Sequence, residues 1–312
     1  MKRLAPAAFC VFATVVAAQA GTLRVDSAAD AGRGSLREAI AAANAAPGST
    51  IEIVLGADAE IVVESSLPPL QARGLTLRGG GVTIREGEGC ERPGGRAGCD
   101  GLVVTGGGIT LRDLRMVGFT FDGVAVRGRG ARDVLVRDLQ AIDNLDDGVG
   151  VSAGAGPVTV EGCLLMGNGF RTKGKGLLVF DRAAATLRDS LVVANRDGVT
   201  VTRGSKAVLE RVMIAGNYDK GFGVSAARAT GLALQVLDNG YDPMSEKPAP
   251  NGDGVRVGLA GSVELTDSRI AGNGDSGVVV LDTSGAELRG GAVELNRGED
   301  LVVSPKARLT RR

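Results

Sequence analysis

The chain contains no histidine and no tryptophan, and aromatic residues make up only 3% of its 312 positions. Without histidine there is no imidazole to serve as a base, and the commonest zinc ligand is missing. Four cysteines are too few to replace it, so no metal site of that kind is expected. An excess of one charge is lacking too: 36 basic residues balance 36 acidic ones, which argues against nucleic acid or an acidic membrane surface as partner. Beyond residue 20 no apolar run reaches the length of a membrane span. What the chain has instead is glycine, 49 residues of it, in a composition that is 44% hydrophobic and almost wholly aliphatic.

The apolar residues recur with a period of twenty-odd positions. Taking Asn195 in Asn195-Arg196-Asp197-Gly198-Val199-Thr200-Val201 as the anchor, equivalents fall at Phe119, Asn144, Asn168, Asn217, Asn239, Asn273 and Asn296. Three residues before each anchor stands an apolar residue, Met116 through Val293, and eight before it another, with Gly231 the one exception. After the anchor comes a glycine, replaced once by Asp300, and then apolar residues one and three positions further on, as in Val199 and Val201. Short alternating runs at a fixed period mean stacked strands, because one repeat is too small to close a core by itself. Coils stacked at roughly 4.8 Å bring the asparagines into one column, where their amides can hydrogen-bond up and down the stack. Asn and the glycine after it also tolerate positive φ, which a tight corner calls for.

The first twenty residues read as a signal peptide: Lys2-Arg3, an apolar run from Leu4 to Ala18, and a cleavage site after Ala20. Export makes a disulfide permissible, and Cys90 and Cys99 bracket a loop of strong turn residues, Glu91-Arg92-Pro93-Gly94-Gly95-Arg96. These two are expected to pair. Cys163 falls in an inward column, five before its anchor, and is expected to be a buried free thiol.

Residues 21–50 hold a first strand around Thr22-Leu23-Arg24-Val25 and one helix. Ser35 and Glu38 have capping-box spacing, and Leu36, Ala39, Ile40 and Ala43 form one apolar face before Pro47-Gly48. An open solenoid exposes the edge and interior of its first coil, so residues 35–46 read as an amphipathic cap. Gly34-Ser35-Leu36-Arg37-Glu38-Ala39-Ile40 resembles the Ser-Leu-Arg-Glu-Ala segment of secreted bacterial CSLREA-type proteins, with Gly34 in place of that motif's first cysteine. The resemblance implies a right-handed parallel β-helix of the pectin-lyase-like superfamily, here over residues 51–305, followed by a basic solvated tail at 306–312. The fold class is therefore all-β with an N-terminal amphipathic capping helix.

That superfamily includes polysaccharide lyases, glycoside hydrolases and sugar epimerases. The absence of histidine removes the Asp-Pro-His-Asp pattern of alginate epimerases and the Gly-His-Gly element of polygalacturonases. Asp146-Asp147 resembles the paired aspartates of polygalacturonases over two residues only. The row just before the glycine carries charge: Asp122, Asp147, Lys175, Asp197, Lys220, Asp253, Ser276 and Glu299. Asp146, Asp147, Lys175, Asp197, Lys220 and Asp253 are the catalytic candidates, although alternating signs along one file also suit a self-neutralising ladder. No cofactor is expected, and calcium is the one ion left open, disfavoured by the intervening lysines. The outward row two past the glycine, from Ala125 to Val302, has no carboxylate. Phe170, Tyr218 and Tyr241 gather at the anchor corner, beside insertions at 169–173 and 241–250, and could stack against sugars. The leading expectation is an exported, non-catalytic protein of the periplasm or cell exterior that binds polysaccharide or a cell-envelope glycan. The alternative is a lyase or glycoside hydrolase using the Asp/Lys row.

Overall fold

The computed structural model describes residues 19–56, 58–92, 95–170, 173–241 and 252–312. The expected signal peptide up to Ala18 and nearly all of the 241–250 insertion lie outside these residues. The rest is a parallel β-solenoid of about eleven turns. Nine strands, from Leu102–Val104 to Leu301–Val303, stack in parallel as one sheet. A larger sheet is fed by the other sides of each coil, which supply either one bent strand such as Val134–Ile142 or two short ones such as Val158–Glu161 and Leu164–Met166. Register is in phase from coil to coil, with Val149 opposite Leu177, Val199 opposite Phe222 and Val255 opposite Val278.

The inward columns read from the sequence are the core. Leu111, Val136, Val160, Leu187 and Leu209 are completely buried, as are Val199, Val201 and Phe222, and Cys163 lies among them. Axial columns of mostly aliphatic side chains, like on like, fill the interior, with Phe119 and Phe222 as its largest members.

Asn side chains form a continuous ladder. Asn144, Asn168, Asn195, Asn217, Asn239 and Asn273 each donate from Nδ2 to the Oδ1 of the next anchor at 2.8–3.0 Å. That Oδ1 also accepts the backbone N–H of the preceding anchor, and Nδ2 reaches back to a strand carbonyl, as from Asn217 to Val192. Phe119 begins the ladder by donating its N–H to Asn144. Asp300 ends it: its carboxylate takes the Nδ2 of Asn296 at 2.8 Å. The aspartate that breaks the glycine column is thus the terminator of the asparagine column.

The expected positive φ is not where the sequence placed it. It belongs to the residue just before each anchor, Ala194 at 53° and Asp238 at 52° among them, and not to the Asn or the glycine that follows. The glycine is needed for space. A Cβ on Gly198 would come within 2.3 Å of the Gly221 carbonyl and 2.5 Å of Ile214. A second bend, six before the anchor, is also left-handed, as at Asp138 and Asp189.

At the N-terminus Thr22–Val25 pairs with Thr50–Ile53, and the helix α1, Leu36–Ala45, buries Leu36, Ala39, Ile40 and Ala43. Ser35 accepts the Glu38 N–H, and Glu38 accepts the Gly34 N–H. At the other end the expected solvated tail is a strand. Arg308–Arg311 pairs with Gly285–Arg289, because its alternation puts Leu309 over Ala286 and continues the core. Its exposed arginines line the outer edge of the last described coil.

Asn217→Ala would leave the backbone N–H of buried Asn195 and one of its two Nδ2 hydrogens without an acceptor, the other still bonding the Leu165 carbonyl. Each buried orphan costs about 1–3 kcal/mol, so a loss of roughly 3 kcal/mol or more is expected by urea unfolding. Asn296→Ala, at the exposed end of the same ladder, should cost clearly less.

Candidate functional site

The residue before the column glycine points outward at the corner where the nine-stranded sheet begins. In this file the structure adds a member that the repeat pattern missed, Asp100, so that Asp100, Asp122 and Asp147 succeed one another on three coils. Each carboxylate accepts the backbone N–H of its successor: Asp122 to Asp100 at 3.3 Å, Asp147 to Asp122 at 3.3 Å, and Lys175 to Asp147 at 2.8 Å. It is a second ladder beside that of the asparagines. Arg127, near the end of the next strand, reaches back across the sheet to Asp100 at 2.7 Å and Asp122 at 3.2 Å. The coil before has no anchor; the Cys90–Cys99 disulfide hairpin leads straight into Asp100. Asp100-Gly101-Leu102 repeats Asp122-Gly123-Val124, and that was the available signal.

Burial governs the electrostatics here. Removal from water, with Asp100 adding like charge, pushes the Asp122 carboxyl up from 3.8 to about 7 against the pull of Arg127. Asp147 is raised well above its ordinary value by burial and then by the neighbouring Asp122 and Asp146. Burial alone would weaken the charge on Arg127, but Asp100 and Asp122 outweigh it and hold the guanidinium protonated. The group therefore combines one carboxyl, Asp122, that keeps its proton to about pH 7 with one fixed cation.

Farther along, the expected alternation of charges is only partly made. Lys220 donates to Asp197 at 2.8 Å, but the Lys175 Nζ turns to the Lys173 carbonyl, and Asp253 pairs with Arg256 of its own strand. Long side chains reach nearer partners than a strict file supplies. Burial raises the Asp253 carboxyl in spite of Arg256. Asp197 Oδ1 and Thr200 Oγ1 are buried without a hydrogen-bond partner among the described residues. The row two past the glycine is less open than its outward direction suggested. The Asp122 carboxylate lies across Gly150, where a Cβ would come within 2.5 Å of Oδ2, and the Lys220 chain covers Gly223.

On the same corner Phe170 and Tyr218 meet edge to face with ring centres 6.4 Å apart. The Arg196 guanidinium stands 4.9 Å from the Tyr218 ring centre while pairing with Asp219. Phe170 and Tyr241 are exposed, at 42% and 37%. The structure thus brings Phe170 and Tyr218 together with Arg196 and leaves Tyr241 apart from that contact.

No known family profile matches the chain, and no curated protein matches it either. Solved structures do. Pectate lyase Pel9A superposes with a TM-score of 0.55 at 14% identity, over 93% of this chain and 78% of the other. This chain has a pectin-lyase-like fold. A mutant of the periplasmic alginate epimerase AlgG has a TM-score of 0.59 at 12% identity, covering 84% of this chain and 72% of its own. An alginate lyase from a Paenibacillus species gives 0.53 at 16%, with 94% and 98% covered. At such identities the likeness concerns the pectin-lyase-like fold itself and carries no residue across.

An acid whose pKa is raised on folding stabilises the protein below its unfolded value, and that stability is lost as pH rises through the folded value. The melting temperature should therefore fall between pH 3.8 and about 7, the span set by Asp122. Asp122→Asn keeps an oxygen for the Asp147 N–H but cannot ionise. Its melting curve series should be flatter over that range.

Proposed function

We propose that this chain cleaves a polysaccharide, as a glycoside hydrolase or lyase, through Asp100, Asp122, Asp147 and Arg127. The observation that carries the reading is the carboxyl stack in which Asp122 keeps its proton to about pH 7 beside a permanently charged Arg127. Breaking a glycosidic bond by hydrolysis takes one carboxyl that is protonated, to give a proton to the leaving oxygen, and one that is ionised, to act as base or nucleophile. Coils stacked at roughly 4.8 Å hold neighbouring carboxyls near the spacing that such a pair uses. Asp122 or Asp147 is assigned as the acid, and Asp100, paired with Arg127 at 2.7 Å, as the base or nucleophile. The positive charge comes from Arg127, so no metal enters the proposal.

The polysaccharide-acting neighbours of the pectin-lyase-like fold support a glycan as substrate. Export is inferred from the leader-like first twenty residues and is compatible with the disulfide. Among the described residues no helix is long and apolar enough to cross a membrane. The coil is taken to be right-handed, with α1 covering its open first turn, as the buried face of that helix supports. A second reading, glycan binding without cleavage, is favoured by Phe170, Tyr218 and Arg196 on the same corner. The remaining candidates Lys175, Asp197, Lys220 and Asp253 would then line the path of a bound chain.

The test is a panel of neutral and uronate polysaccharides, followed by reducing ends and by absorbance of unsaturated products. New reducing ends without unsaturation mean hydrolysis, and with it, elimination. Asp122→Asn and Arg127→Met should each lower turnover at least a hundredfold while the fold persists. If the native protein binds but cleaves nothing, and Tyr218→Ala abolishes that binding, the second reading stands and the catalytic one falls.

A further inference from the structure

In the larger sheet the segment between the second bend and the anchor corner is a three-residue strand: Leu164–Met166, Leu191–Val193, Met213–Ala215, Gln235–Leu237 and Arg269–Ala271, preceded by the ends of Thr110–Val117 and Val134–Ile142. These stack in register, and the middle residue of each points inward. The first and third point out. A sheet face turned to water normally alternates to polar residues at such positions. This one does not. The third-residue file is apolar from Val117 to Ala271, with Ile142, Met166, Val193 and Leu237 at its centre. The first-residue file reads Arg115, Gln140, Leu164, Leu191, Met213, Gln235, Arg269, apolar in the middle and symmetric in chemistry about Leu191.

Along the bend beside this face runs an open groove of about 920 Å³, lined by Leu164, Leu191 and Met213 together with Asp138, Asp189 and Arg211. Met213 is 37% exposed. Contiguous apolar surface of this extent marks an interaction site. Six coil spacings by five residues along the strand make a face of roughly 29 by 16 Å. Two such faces pressed together cover about 900 Å² in total, below a standard interface and the size of a weak, reversible contact.

We propose that this face is the contact of a two-fold symmetric dimer between two copies of this chain, centred on Leu191. A two-fold axis lying along the strand direction inverts the order of coils, so Leu164 meets the partner's Met213, and Gln140 meets the partner's Gln235. The file's symmetry sets apolar on apolar and amide on amide, and each contact occurs twice, as in any isologous interface. The same operation brings Arg115 to the partner's Arg269 at the margins, where Glu294 neutralises Arg269 at 3.0 Å. The candidate catalytic file lies on the other sheet, across the anchor corner, so the dimer leaves it open. Nothing in the proposal depends on the catalytic reading.

Sedimentation and light scattering of the full chain across a dilution series test it. Twice the monomer mass is expected, and Leu191→Arg should reduce this to one while circular dichroism stays unchanged. Should that variant not fold, Leu191→Cys under mild oxidation is expected to give a covalent dimer, with Thr186→Cys on another outward position as the control. A monomeric native chain at every concentration overturns the proposal, as does a Leu191→Cys yield no higher than the control. A monomer that binds lipid vesicles through this face would also overturn it, assigning the surface to a membrane.

Discussion

Stacking identical coils at strand spacing forces every polar group at a corner to find its partner in the coil above or below. The asparagine column solves this with one side chain per turn. Each amide oxygen takes two N–H donors from the preceding anchor, one side chain and one backbone, while each Nδ2 also returns to a strand carbonyl. Close approach of that amide leaves no room for a Cβ on the facing glycine. The glycine column and the phase of the strands that follow each anchor accord with this one constraint.

The aspartates beside it obey the same geometry under a heavier cost. A carboxylate that accepts the next coil's N–H is satisfied as a hydrogen-bond acceptor yet still loses hydration as a charge. Where Arg127 reaches only two of three stacked acids, the remaining cost appears as proton affinity, and Asp122 is pushed to about 7. An arrangement that began as backbone satisfaction thereby acquires acid–base capacity. Farther along, lysine and arginine side chains relieve the acids singly, and the file turns to ordinary ion pairing.

Inward and outward directions were legible in the sequence because strand alternation has a period of two and the repeats keep phase. Leu209, Ile214 and Cys163 are buried where that reading put them. The inward columns five and three before the anchor, Ser190 and Val192 in this coil, likewise left Leu191 and Val193 to face out. What the sequence did not show is the left-handed bend at Asp189 that turns the chain there.

By itself the sequence determined the architecture, since period, patterning and the asparagine column are local and repeated eight times over. It also determined the absence of imidazole chemistry. Only the tertiary structure decided which charges act on one another. Asp100 and Asp147 are 47 positions apart in the chain, and their common neighbour Asp122 loses its water to both coils at once. Arg127 joins the group by reaching back across a strand, not by its place in the repeat. Burial and through-space charge are sums over neighbours that the fold brings together, and no single repeat contains them.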